Sequence, residues 1–390
     1  MSGSTSPLRP SASHQWVNCP GSVMMQSLHP EYGEASYAAE EGTACHWLAE
    51  QLLNCISTQC ELPDKESMIN TTAPNGIVMD EDMWDGANMY VDTVMSMLGN
   101  STPVDNLQVE QEIKLDNIYP LMHGTADCWF YDAYTLTLHV FDLKYGRGGV
   151  EVFANSQLLI YASGIIANIL HPDVGNDERL KVNLTIVQPR SYHELGPVRT
   201  WKTKAVDMIT RINIIEFAAN LAMGDEPDCK AGRHCKYCSG KYVCSSLQNT
   251  VYEAIDVITD VSPDVMDEES LAAELTLLKY ASDLIKYRLI AIEEQAKSVI
   301  NNGSSLKGWM VAPTFGRKKW EDKEQAKLMG EMMGVNLSKN ELVTPTQAKA
   351  LFKKAKVDSS VIDTYSTTPK NGVKLVIDDG SRLSMIFNNK

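Results

Sequence analysis

The sequence predicts an α/β or α+β protein in which helices flank a short central sheet. Three observations carry that expectation. Helical segments with apolar residues near the 3.6 spacing stand on both sides of a group of strand-like runs. The hydrophobic share, 44% of 390 residues, is ordinary for a globular chain and too high for a disordered one. The longest nearly apolar run, Leu158 to Leu170, is 13 residues, against the roughly 20 that a membrane-spanning helix needs.

Taken in order, residues 1–12 are Ser/Pro-rich, and their MSGSTSPLRP start has no apolar core of a secretory signal. Residues 34–60 read as a helix, 61–78 as a loop broken by Pro63, Pro74 and Gly76, and 80–98 as a helix. Strand-like runs follow at 107–115, 124–132 and 135–144, the last two joined by the turn DAYT as a hairpin. A helix is expected over 151–170, a strand over 180–189, a helix over 204–222 and a long one over 264–301. The texture then becomes basic and mixed. The expected organisation is a domain at 1–250, a helical connector at 251–301 and a small basic domain at 302–390.

Charge is unevenly spread. The net is −15, yet residues 31–130 hold 18 acids and only Lys65 and Lys114 as bases. Residues 181–250 carry ten Lys/Arg against six acids, and 301–390 fifteen against nine. An acidic total ordinarily argues against nucleic-acid binding. Here the acid is confined, so a polyanion can dock elsewhere; a merely solvated acidic face is the plain alternative. Membrane-spanning, secreted and collagen-like classes are not expected. A reducing cytoplasm is, and there nine cysteines read as free thiols and metal ligands.

The first chemistry lies in TLHVFDLKYGRGG. Alternate strand residues share a face, so Leu136, Leu138, Val140, Asp142 and Lys144 point the same way. An acid and a lysine ending an apolar strand face are costly to bury unpaired. Asp127, in HGTADCWFYD, falls on the neighbouring strand. Two carboxylates on adjacent strands can hold a hard divalent cation. A lysine beside them can orient or deprotonate a water and offset phosphate charge. Gly42, His46 and Glu50 recur every four residues on one helix face, as do Gln157 and Tyr161. Each feature alone has a bland reading: a surface ion pair for D-x-K, a satisfied core histidine for His46, ordinary amphipathicity for Gln157 and Tyr161.

The ordered set G-x3-H, G-T-A-D, D-x-K and Q-x3-Y resembles the PD-(D/E)XK nuclease superfamily and its RecB-like branch. It is most similar to a phage-associated family of RecB-like proteins, at SASHQWVNCPGS, EEGTACHWLAE, GTADCWF, FDLKYGRG and the cysteine cluster. The resemblance covers about residues 8–250 and extends more loosely to GRKKW at 316–320. It implies a central mixed sheet flanked by helices, metal-binding roles for His46, Asp127 and Asp142, a catalytic role for Lys144, and supporting roles for Gln157 and Tyr161. Asp142 stands where many relatives have Glu. The implied activity is Mg²⁺- or Mn²⁺-dependent hydrolysis of DNA phosphodiesters, more an exonuclease than a site-specific endonuclease, in phage recombination or replication in the host cytoplasm. DNA is the implied partner, with a single-strand annealing or binding protein or a helicase as a further one. A non-catalytic DNA-binding or scaffold protein with the same fold is the alternative.

Cys235-x2-Cys238-x5-Cys244 has the spacing of a zinc or iron–sulfur site. The fourth ligand is either local, Cys229, or remote, Cys19. The remote choice is similar to iron–sulfur nucleases of the AddB and CRISPR-adaptation types, and implies a structural [4Fe–4S] cluster on Cys19, Cys235, Cys238 and Cys244, with zinc as the alternative. Such a staple would tie the N-terminal segment to one over 200 residues later. Cys45, Cys55, Cys60 and Cys128 read as buried spectators. No G-x4-G-K-[ST], G-x-S-x-G or H-E-x-x-H occurs. Arg317, Lys318, Lys319 and Trp320 suit phosphate contact and base stacking, with a solvated loop as the alternative.

Overall fold

The computed structural model describes residues 6–30, 37–99, 103–191, 193, 195–259, 268–315, 319–320, 322–339, 341–355, 357–367 and 370–377. The chain forms two compact units, Met1–Arg288 and Leu289–Lys390. Among the described residues no helix is long and apolar enough to cross a membrane.

The first unit opens with two short helices, α1 (Ser13–Trp16) and α2 (Ser22–Leu28). Helices α3 (Tyr37–Ser57) and α4 (Glu81–Leu98) follow. Asp80 caps α4, its side chain accepting from the Met83 N–H. Strands β1 (Gln108–Lys114), β2 (His123–Asp132) and β3 (Thr137–Leu143) form a meander. Helix α5 (Ser156–Asn168), capped by Asn155, crosses over to β4 (Lys181–Val187). Then come β5 (Val198–Lys204) and α6 (Ala205–Ala222). The five strands pair in the order β1-β2-β3-β4-β5. Only β3 and β4 are parallel, which is why they need the helical crossover.

Each face of this sheet is buried. Ile113, Ala126, Leu138, Val140, Val182, Leu184 and Ile186 pack under α5 and α6. Cys128, Phe130, Phe141, Leu143 and Val187 pack under α3 and α4. All seven residues of β3 are buried, as for a central strand covered on both sides. Strand β5 was not expected from the sequence. Its VRTWKTK is an edge strand, and polar residues outnumber apolar ones there because one side is open.

Helices α7 (Ser245–Thr259) and α8 (Glu268–Asn301) complete this part of the chain. Leu247, Val251 and Leu284 close over Cys235. In the second unit, β6 (Trp309–Phe315) pairs antiparallel with β7 (Lys370–Ile377). Helices α9 (Lys323–Met332) and α10 (Pro345–Lys354) enclose a core of Met329, Val335, Leu337, Ala348, Phe352 and Ile362.

Candidate metal centre

Asp142 and Lys144 end β3 beside the end of β4, where the Lys144 N–H donates to the Val187 carbonyl at 2.9 Å. The strand continues the apolar face of Leu138 and Val140, so Asp142 is carried inward and keeps only 2% of its surface exposed. Burial is answered by neighbours. The Lys144 ammonium donates to Asp142 Oδ1 at 2.9 Å and to Gln157 Oε1 at 2.9 Å. The Gln157 amide donates to the same Oδ1 at 2.7 Å. Asp142 Oδ2 lies 2.9 Å from Lys144 Nζ as an ion-pair contact, yet has no hydrogen-bonded partner. A buried carboxylate oxygen with a free lone pair is what a cation site requires.

Burial raises Asp142 above the usual carboxylate range, more than Lys144 opposes it. Burial acts to lower Lys144, but Asp142 and Asp127 outweigh it and hold the group an ammonium. In the metal-free protein, Lys144 is therefore a charged donor that can orient a water or a phosphate oxygen, not a base.

Asp127 comes from β2, and its Oδ2 accepts from the Leu143 N–H at 2.8 Å. His46, on α3, places Nδ1 3.5 Å from that oxygen. A third ligand joins them that the sequence reading did not include: Glu110 on β1. Ligand atoms of His46, Glu110 and Asp127 all lie within 4.8 Å of one another. Glu110 has φ +46°, a left-handed backbone in a non-glycine residue, which costs about 1–3 kcal/mol. The strain coincides with a break in the pleat. Before it, Val109 faces the α3 side; after it, Ile113 faces the α5 side. On β2, Ala126 and Cys128 likewise belong to opposite faces. The break leaves Glu110 and Asp127 beside the same histidine. Burial first, then Asp127, Glu50 and Asp142, push the Glu110 carboxyl up to about 8. Four carboxylates, one turn of α3 included, thus share one small region. A dense negative site of this kind is stabilised by a divalent cation.

Tyr161 is buried and hydrogen-bonds to Gln157; burial and the acids push its phenol well up. Its ring lies 3.2 Å from where a Cβ on Gly124 would stand. The Tyr90 hydroxyl is buried without a partner and feels Asp127, Asp142 and Glu110, after burial and Cys128. The expected set of His46, Asp127, Asp142, Lys144 and Gln157 is thus brought together, with Tyr161 bracing it. Gly42 is different: a Cβ there would meet nothing within 4 Å, so close approach does not explain it.

The cysteines gather in a second place. The Lys230 N–H donates to Cys19 Sγ at 3.3 Å. Cys235 feels Cys19, Cys238 and Cys244, and Cys238 feels Cys19 and Cys244. Cys229 contacts both Cys19 and Cys244, so the local and the remote fourth-ligand candidates are both present. Burial pushes Cys235 and Cys238 up to about 11, leaving neutral thiols unless a cation replaces their protons. Cys45 and Cys128 are buried free thiols. Cys55 and Cys60 are not: they form a disulfide, and Cys60 is exposed. Cys55 lies in the last turn of α3 and Cys60 three residues past its end, and the chain's turn there brings their Cα atoms to 4.9 Å. In the second unit, Arg317 and Lys318 lie outside the described residues. Trp320 packs against the core there, and its indole N–H donates to the Val343 carbonyl at 2.7 Å. Packing and that bond hold this tryptophan in the core of the second unit.

A family model described as "Protein of unknown function (DUF2800)" matches residues 6–383, and the chain belongs to that family. A solved structure titled "Crystal structure of SSO0001" is similar at 16% identity with a TM-score of 0.28, covering 61% of this chain and 86% of that one. At that TM-score the likeness carries no argument.

Proposed function

We propose that this member of the DUF2800 family is a divalent-metal-dependent deoxyribonuclease of the PD-(D/E)XK, RecB-like type. The observation that carries the reading is the convergence of His46, Glu110 and Asp127 beside Asp142, whose Oδ2 meets only the Lys144 ammonium and has no hydrogen-bond partner, with Lys144 fixed by Gln157. The donor set is oxygen-rich with one imidazole, which fits Mg²⁺ or Mn²⁺. When bound, the ion supplies polarisation of a phosphoryl oxygen and activation of a water.

The chain's own residues do the rest. His46, Glu110, Asp127 and Asp142 would hold the ion. Gln157 keeps Asp142 and Lys144 in register through two hydrogen bonds. Lys144 offers an ammonium proton to the water or the phosphate and offsets the charge that develops there. Tyr161 holds Gln157 in turn. The preference for an exonuclease, the phage setting, and partnership with an annealing protein or helicase rest on the resemblance described above.

The cysteine pocket is proposed as a structural [4Fe–4S] site on Cys19, Cys235, Cys238 and Cys244. Zinc on the same set is the alternative, since thiolates at this sequence spacing hold either group.

Digestion of labelled linear and circular DNA by the full chain tests the reading. Linear DNA should be degraded with Mg²⁺ or Mn²⁺ and not with EDTA, and Lys144→Ala should be slower by on the order of a hundredfold or more. Intact substrate with both metals, or equal cutting by the variant, would overturn it and favour a DNA-binding scaffold.

A further inference from the structure

The cysteine knuckle lies beside the glycine-rich loop that follows Lys144, and one residue of it presents an exposed ring there. Tyr237 sits between Cys235 and Cys238. Both cysteines are buried, but Tyr237 is 53% exposed. Its hydroxyl lies 3.9 Å from where a Cβ on Gly148 would stand, in the glycine-rich loop that follows Lys144. Lys236 Nζ lies 4.8 Å from the centroid of the Tyr237 ring. The His14 ring meets the same tyrosine edge-on, with centroids 5.6 Å apart and an interplanar angle of 83°.

His14 also reaches the other way. Burial lowers its pKa against the opposing Ser11 backbone hydrogen bond, and the charges of His234 and Lys144 add to the lowering. Next to it, Ser13 Oγ is 2.7 Å from Ser156 Oγ, one residue before Gln157. The segment SASHQW, which the metal centre does not use, thus bridges that centre and the knuckle. One wall runs from the glycine-rich loop after Lys144 to Tyr237, with His14 and Lys236 on either side of the ring. It offers an open aromatic ring flanked by an ammonium and an imidazole. That combination binds single-stranded nucleic acid: bases stack on the ring, and the cation meets the backbone phosphate. A tyrosine whose only task was closing the knuckle would be packed like its neighbours.

We propose that Tyr237, aided by Lys236 and His14, is a stacking post for a single-stranded nucleic acid whose phosphate occupies the metal centre. The direction of that strand rests on the nuclease reading, whereas its binding to the post does not require cleavage.

The test is fluorescence anisotropy of a labelled oligothymidylate with the full chain in EDTA, where nothing is cut. Tyr237→Ala should weaken binding between about fivefold and a hundredfold, the range of one lost base stack. Tyr237→Phe should stay within about twofold, since stacking needs the ring and not the hydroxyl. Lys236→Ala, at an exposed position, should lower the slope of log affinity against log salt by about 0.7. Metal content and circular dichroism establish that each variant keeps the knuckle and the fold. Unchanged affinity in Tyr237→Ala, an equal loss in Tyr237→Phe, or an unchanged salt slope in Lys236→Ala overturns the proposal while leaving the nuclease reading intact. A wild-type chain that binds no oligonucleotide overturns it as well, while failure of the nuclease reading shows separately as intact DNA in the digestion with Mg²⁺ or Mn²⁺.

Discussion

Glu110 is the residue on which chemistry and conformation meet. Its carboxyl moves from an ordinary 4.5 to about 8 in the folded chain. Between those values the folded state keeps a proton that the unfolded state has released, so metal-free stability falls as pH rises through that window. A bound cation replaces the proton, so its stabilising effect grows over the same range. Melting curves from pH 5 to 8 should show a falling midpoint in EDTA and a widening gap between EDTA and Mn²⁺. In Glu110→Gln both trends should shrink; identical slopes in variant and wild type would contradict this role. The sequence offered a faint signal for Glu110. It sits in VEQEIK, in the strand-like run before the one that carries Asp127, but three acids or amides crowd that run and nothing distinguished this one. What marks it is a positive φ, and a backbone angle is not readable from residue types. Strand alternation brought Asp127, Asp142 and Lys144 together in the sequence, whereas His46, Gln157 and Tyr161 were singled out by the ordered motif set that resembles the PD-(D/E)XK superfamily.

Elements were legible where burial sets a period and illegible where it does not. Strands β2 and β3, helices α3 and α4, and the crossover α5 follow from apolar periodicity. The edge strand β5 escaped, since half of its residues face solvent and alternate weakly. The Cys55–Cys60 disulfide escaped as well, because pairing of thiols depends on how α3 ends rather than on the composition around them. Packing of α5 on β1 gives a prediction at this scale. A Cβ on Gly164 would meet Leu115 Cδ2 at 2.5 Å and the Lys114 carbonyl at 3.0 Å. Helix propensity alone favours alanine over glycine by about 1 kcal/mol. Overpacking against a backbone carbonyl costs about 1–3 kcal/mol, and the latter should win. Gly164→Ala should therefore lower the denaturant midpoint in chemical unfolding; a raised midpoint would show that α5 can shift away from β1.

Across the whole first unit, the acidic stretch and the candidate metal centre overlap. Most of the centre's acids, Glu50, Glu110 and Asp127, fall within residues 31–130, where the chain holds 18 acids and two bases. The basic surplus of residues 181–250 includes the knuckle that faces the glycine loop after Lys144. The cysteines join residue 19 to residues 229–244, so the first turns of the chain are fastened across the unit. Cys19→Ser should accordingly reduce iron or zinc content and lower the melting temperature; full metal content in that variant would shift the site to Cys229. The most direct test of the whole account is a calorimetric titration of the metal-free chain with Mn²⁺ at pH 8. Binding should be seen for the wild type and abolished in Asp127→Asn and in Asp142→Asn, with circular dichroism unchanged. No heat of binding in the wild type, or equal affinity in folded variants, would mean that these side chains do not hold an ion.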